Sequence, residues 1–161
     1  MKSVIKLFSL CFAIFLISST AFAQNRPTQS TFGLTASIQG NQTNLQVPIW
    51  LNDNVTIAPV FGINHQQNNF TSINLGVAPR FYQDVGSDFA TYLGARGIIQ
   101  RTSPEVGAED SDFLLGATGG GEYFLGEHFS LGVEVQLNFL INDNGNDRFG
   151  TGAAVMGTYY F

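Results

Sequence analysis

From residue 32 to the end, the chain repeats one pattern: a run of alternating apolar and polar residues, then a polar or glycine-containing break. A period of two is the mark of a β-strand, whose successive side chains point to opposite faces. Eight such segments can be traced, at residues 32–38, 45–51, 55–63, 71–81, 89–99, 113–123, 129–141 and 151–161. The seventh is the cleanest, with Phe129, Leu131, Val133, Val135, Leu137, Phe139 and Ile141 on one face. No segment after residue 31 has a helical period. The breaks alternate in character. Those at 39–43, 65–69, 102–111 and 142–148 are polar and include the two longest, whereas 52–54, 83–87 and 126–128 are short turns. This pattern predicts an all-β, eight-stranded antiparallel up-and-down barrel, with longer loops at one end and short turns at the other.

The other face of the strands is polar or small, and it decides which side is the inside. Arg80, Arg96, Glu122 and Glu134 are the charges deep within strands, and all four lie on that face. A soluble barrel turns its apolar face inward and its charges to water. Here the charge-free face is the continuous one, and a charge on a lipid-facing strand costs about 2–4 kcal/mol at the bilayer midplane. The expectation is therefore a transmembrane barrel with a polar, side-chain-filled lumen, in which the four charges form an ion network with Tyr82, Tyr92 and Gln136. Aromatic residues gather near the strand ends: Phe81, Tyr82, Phe89, Tyr123, Phe129 and Tyr159 at the short-turn end, and Phe61, Phe113, Phe139 and Phe149 at the other. Two interfacial girdles are expected from them.

The first residues form a separate unit. Lys2 and Lys6 precede an apolar stretch from Leu7 to Ile17, and Ala21-Phe22-Ala23 is a small-x-small site. This three-part pattern predicts a secretory signal over residues 1–23, cleaved before Gln24, and a barrel domain over 24–161. Cys11, the single cysteine, would leave with the signal, so no disulfide or thiolate metal site is expected. Both lysines would leave as well. The remainder keeps five arginines against twelve acids, a poor composition for binding nucleic acid. Eighteen glycines in 161 residues suit tightly curved β-structure.

The final strand carries the most specific motif. Val155, Gly157, Tyr159 and Phe161 share a face, and Phe161 is the last residue. A terminal phenylalanine with an aromatic two positions earlier resembles the assembly signal of bacterial outer-membrane barrels. The segment Gly119-Gly120-Gly121-Glu122-Tyr123-Phe124, the turn Leu125-Gly126-Glu127-His128 and the strand Phe129-Ser130-Leu131-Gly132-Val133-Glu134 are similar to the penultimate hairpin of the small eight-stranded outer-membrane barrels of the OmpA and OmpX type. The resemblance covers residues 24–161. It implies an integral outer-membrane protein of a Gram-negative-type bacterium, with both termini periplasmic and no cofactor. Its expected partners are outer-membrane lipid, lipopolysaccharide and, during assembly, the barrel-insertion machinery. A monomer is expected. The implied role is structural or surface-interacting. A narrow pore for ions or small solutes is the alternative.

Two further chemistries are legible. His128, Ser130 and Glu134 would share a strand face and supply the base, nucleophile and acid of an acyl hydrolase. Some eight-stranded barrels that deacylate lipid A use a His-x-Ser pair, but the pair here belongs to the periplasmic turn, away from an outer-leaflet substrate. Solvated turn and lumen residues, and no enzymatic chemistry, are therefore the expectation. Acidic loops at Glu105, Glu109, Asp110 and Asp112, and at Asp143-Asn144-Gly145-Asn146-Asp147, offer oxygen donors but lack the spacing of a complete calcium loop. No metal is assigned to them, and His65 is read as a solvated loop residue.

Overall fold

The alternation of the sequence becomes an alternation of environment. The structure, a computed structural model, describes residues 31–40, 42–66, 70–85, 88–104, 110–142 and 147–161. The expected signal lies outside the described residues, as do Glu105, Glu109 and residues 143–146. The side chains of His65 and Asp110 are likewise not described.

Among the described residues the strands are β1 (Gly33–Gln39), β2 (Gln42–Gln46), β3 (Ile49–Asn52), β4 (Val55–Gln66), β5 (Phe70–Asp84), β6 (Phe89–Pro104), β7 (Asp110–Phe124), β8 (Phe129–Asn142) and β9 (Arg148–Tyr160). Every pairing is antiparallel, and β9 returns to β1 to close the barrel. β2 and β3 are two halves of one stave, so the closed barrel has eight. The expected segment 45–51 is interrupted because Pro48 has no N–H to give to a ladder. The register nevertheless holds across the break, with Gln46 opposite Val60 before it and Ile49 opposite Ile57 after it. The carbonyl of Pro48 still accepts from the Gly33 N–H at 2.8 Å, and the Val47 N–H donates to Pro59 O at 3.0 Å.

The strands run further into the expected loops than apolar alternation indicates. Thr102 pairs with Asp110 and Arg101 with Ser111, inside the expected loop 102–111. Gln39 pairs with Gln42, which leaves a tight turn where Gly40 takes φ +56°. The reason is that polar Thr, Ser and Gln continue a ladder without producing a hydrophobic period. Arg101 consequently stands on the outward parity, at the rim beyond Ile99. At the opposite end the turns are short. Asn52 Oδ1 accepts from the N–H groups of Asn54 and Val55, both at 2.9 Å, in an Asx turn.

The apolar face is the outer one. Leu75 is 56% exposed and Val135 66%, whereas Arg80 and Glu134 on the other face are 3% and 4% exposed. Phe81, Phe89, Tyr123, Phe129 and Tyr159 stand exposed around the short-turn end, and Phe61, Phe113, Phe139 and Phe149 around the loop end. They lie side by side, with Phe89 opposite Tyr123, Phe129 opposite Tyr159 and Phe139 opposite Phe149. Tyr82 departs from this expectation: even parity turns it fully into the lumen. The seam is held at its end by the Phe161 N–H donating to Phe32 O at 2.9 Å, with the two rings stacked at 5.1 Å. Inside the seam Thr35 and Thr158 share a buried hydroxyl–hydroxyl bond of 2.8 Å. Thr158→Val should strand the Thr35 hydroxyl at a cost of about 1–3 kcal/mol, read as a lower midpoint in guanidinium unfolding with an unchanged slope.

Candidate functional site in the barrel lumen

Four strands deliver the inward charges, and each charge has a glycine directly across the ladder. Arg80 faces Gly94, Arg96 faces Gly116, Glu122 faces Gly132 and Glu134 faces Gly120. The fit is close. A Cβ on Gly116 would stand 2.8 Å from Arg96 Cγ, and one on Gly120 would stand 2.5 Å from the Tyr92 hydroxyl. The lumen of an eight-stranded barrel is only wide enough for side chains to fill it.

The four charges do not form one network. Arg80 Nη2 donates to Glu134 Oε2 at 2.9 Å and to Gln46 Oε1 at 3.0 Å. Its guanidinium also lies 4.8 Å from the centre of the Tyr92 ring. Glu134 is completed by the Tyr92 hydroxyl and the Gln136 amide, each donating at 2.8 Å. Glu122 is held apart, accepting from the hydroxyls of Tyr82 at 2.8 Å, Tyr160 at 2.9 Å and Ser130. Arg96 has no ion-pair partner among the described residues, and its Nε is buried without a hydrogen bond.

Below the ion pair the lumen is aromatic: the expected Tyr82 and Tyr92 are joined by Trp50, Phe124 and Tyr160, which the polar-face pattern did not indicate. Trp50, Tyr82, Tyr92, Phe124 and Tyr160 are all at most 2% exposed. Trp50 packs on Tyr82 at 4.7 Å and Tyr82 on Tyr92 at 5.1 Å, between ring centres. Trp50 and Tyr160 were detectable by parity alone, since each alternates with outward residues such as Ile49 and Tyr159. Their apolar character disguised them. The His128, Ser130 and Glu134 set is not assembled. β8 begins at Phe129, after a turn in which Gly126 adopts φ +104°, so strand parity does not reach His128. That side chain is exposed, meets Tyr160 O through Nδ1 at 3.1 Å and stacks on Tyr159. Ser130 is wholly buried on Glu122. Of the C-terminal residues, Val155, Tyr159 and Phe161 are exposed on the outer face, in line with Gly157.

No family model matches the sequence, and no curated protein matches it. Solved structures do. The N-terminal β-barrel domain of Pseudomonas aeruginosa OprF matches with a TM-score of 0.66 at 13% identity, over 84% of this chain and 100% of that one. Neisserial surface protein A (NspA) matches with a TM-score of 0.57 at 13% identity, over 81% of this chain and 92% of that one. The fold is that of the small eight-stranded outer-membrane barrels.

Within this outer-membrane-type barrel, the loop half of the lumen is open. A vestibule of about 350 Å³ lies above Arg96, bounded by Gln39, Gln42, Gln100, Asn138 and Arg148. Beneath Arg96, against the Arg80–Glu134 pair, only about 20 Å³ remains, which is room for roughly one water. The charges below the vestibule thus act as a floor. Glu134→Gln should leave Arg80 buried and unpaired, costing about 3–5 kcal/mol. Glu122→Gln, which strands no cation, should cost about 1–3 kcal/mol. Chemical unfolding of the two variants side by side measures the order, and equal losses would contradict the division of the lumen into two separate clusters.

Proposed function

We propose that the protein is an integral barrel of a bacterial outer membrane, non-catalytic, with a structural or surface-interaction role. The observation that carries this reading is the inverted surface. Large apolar side chains cover the outside between two aromatic rings, and charge is confined to the lumen and the rim. An exposed apolar surface of this extent is not tolerated in water. Strands of about 9–11 residues suffice to cross a bilayer, and β5 to β9 each have at least 13. A closed barrel is also one of only two structures that satisfy the backbone in lipid. Both chain ends would face the periplasm, since an even number of staves returns the chain to the short-turn side. The outward row Val155, Gly157, Tyr159 and Phe161 would then be offered to the insertion machinery as an edge strand.

The aromatic layer favours a closed lumen over a pore. Ser130, buried and bound to a carboxylate, is unsuited to nucleophilic attack, which disfavours the lipid hydrolase. Val135→Arg, in the middle of the outward face of β8, should destabilise the protein in lipid by about 2–4 kcal/mol and leave it assembled. An unchanged unfolding midpoint would place Val135 away from hydrocarbon and sink the proposal. In planar bilayers the wild-type protein should be silent. Discrete openings that Glu134→Gln or Arg96→Gln alters would establish the pore instead.

A further inference from the structure

One of the four lumen charges has no ion-pair partner among the described residues. Arg80 is paired with Glu134, and Glu122 is held by hydroxyl donors, but Arg96 lines the vestibule with no carboxylate at ion-pair distance among the described residues. Arg148 enters the same space from the inward parity of β9, at the rim. Among the described residues the vestibule lining contains no acid. Of the described acids at this rim, Asp112 accepts from the Asn142 side chain and Asp147 from the Asn142 N–H. Two guanidinium groups therefore share a cavity of about 350 Å³ whose described lining holds no carboxylate.

We propose that this vestibule binds a small phosphorylated sugar, with its phosphate on Arg96 and Arg148. Three features select that chemistry. Two guanidinium groups with no ion-pair partner among the described residues match the charge of a phosphate monoester, about −1.5 to −2 at neutral pH, and the planar fork of arginine suits its oxygens. The cavity is larger than a phosphate needs and falls within the usual size of small-ligand sites. The remaining lining includes amides and the apolar Leu114 and Leu140, the mixture that hydroxyls and the face of a sugar ring require. Low-dielectric barrel walls strengthen the field of Arg96 at the closed floor. The proposal goes beyond the structural role above and depends on the closed barrel, not on its orientation in a membrane.

The test uses the full protein with ¹⁵N-labelled arginine, in a non-ionic detergent free of phosphate. Inorganic phosphate and then a hexose phosphate are titrated while the Arg96 Nε–H resonance is followed. A saturable shift is expected, at lower concentration for the hexose phosphate, and sodium chloride at equal ionic strength should not reproduce it. In calorimetry, Arg96→Gln should abolish binding and Arg148→Gln should weaken it about tenfold. Because the resonance is read in the wild-type protein, misfolding of either variant does not remove the test. A second arm embeds the protein in vesicles containing lipopolysaccharide. If the vesicles shift Arg96 and block the soluble sugar phosphate, the ligand is lipid-borne. If they do not, it is a free solute. A shift that never saturates, or that salt reproduces, overturns the proposal.

Discussion

Lack of space inside the barrel governs the rest of this structure. Eight staves enclose a lumen that side chains themselves fill, so the long inward charges depend on small residues opposite them. Each of the four inward charges stands across a ladder from a glycine. Glycine weakens a strand, because it packs no side chain. Here that cost is offset by what the missing Cβ admits: an arginine, a carboxylate or a tyrosine lying across the lumen. The glycines and the inward charges are therefore one design and cannot be varied independently.

The same narrowness imposes a division of labour along the axis. At the short-turn end, Trp50, Phe124 and the tyrosines exclude water, and the Tyr82 and Tyr160 hydroxyls satisfy Glu122. In the middle, Arg80 and Glu134 are buried together, which is tolerable only because further donors and acceptors complete the pair. At the loop end, the polar walls face an open vestibule. Outside, the apolar surface is continuous, since the hydrogen-bonding needs of the backbone are met within the closed sheet.

Much of this was legible in the sequence because period two is unambiguous when one face is kept free of charge. β8 shows it in full, with an apolar side chain at each odd position from Phe129 to Ile141. Three things were hidden. Pro48 preserves the parity of its segment while removing a hydrogen bond, so alternation alone cannot reveal the interruption. Trp50 and Tyr160 are apolar enough to pass for outward residues, and only counting from their neighbours places them inside. That Arg96 is left out of the ion pair was also illegible. Parity fixes the face a residue occupies, but its partner depends on height along a tilted strand and on which carboxylate reaches it first. Glu134 is taken by Arg80.

The central claim is a closed barrel with its apolar face in a membrane. Gel mobility of the outer-membrane fraction, with and without boiling, tests it most directly. The protein should be found in that fraction, and its band should shift on boiling as a detergent-resistant closed barrel opens. A soluble protein whose mobility is indifferent to boiling would contradict it, and would mean that the two faces of the sheet are the other way round.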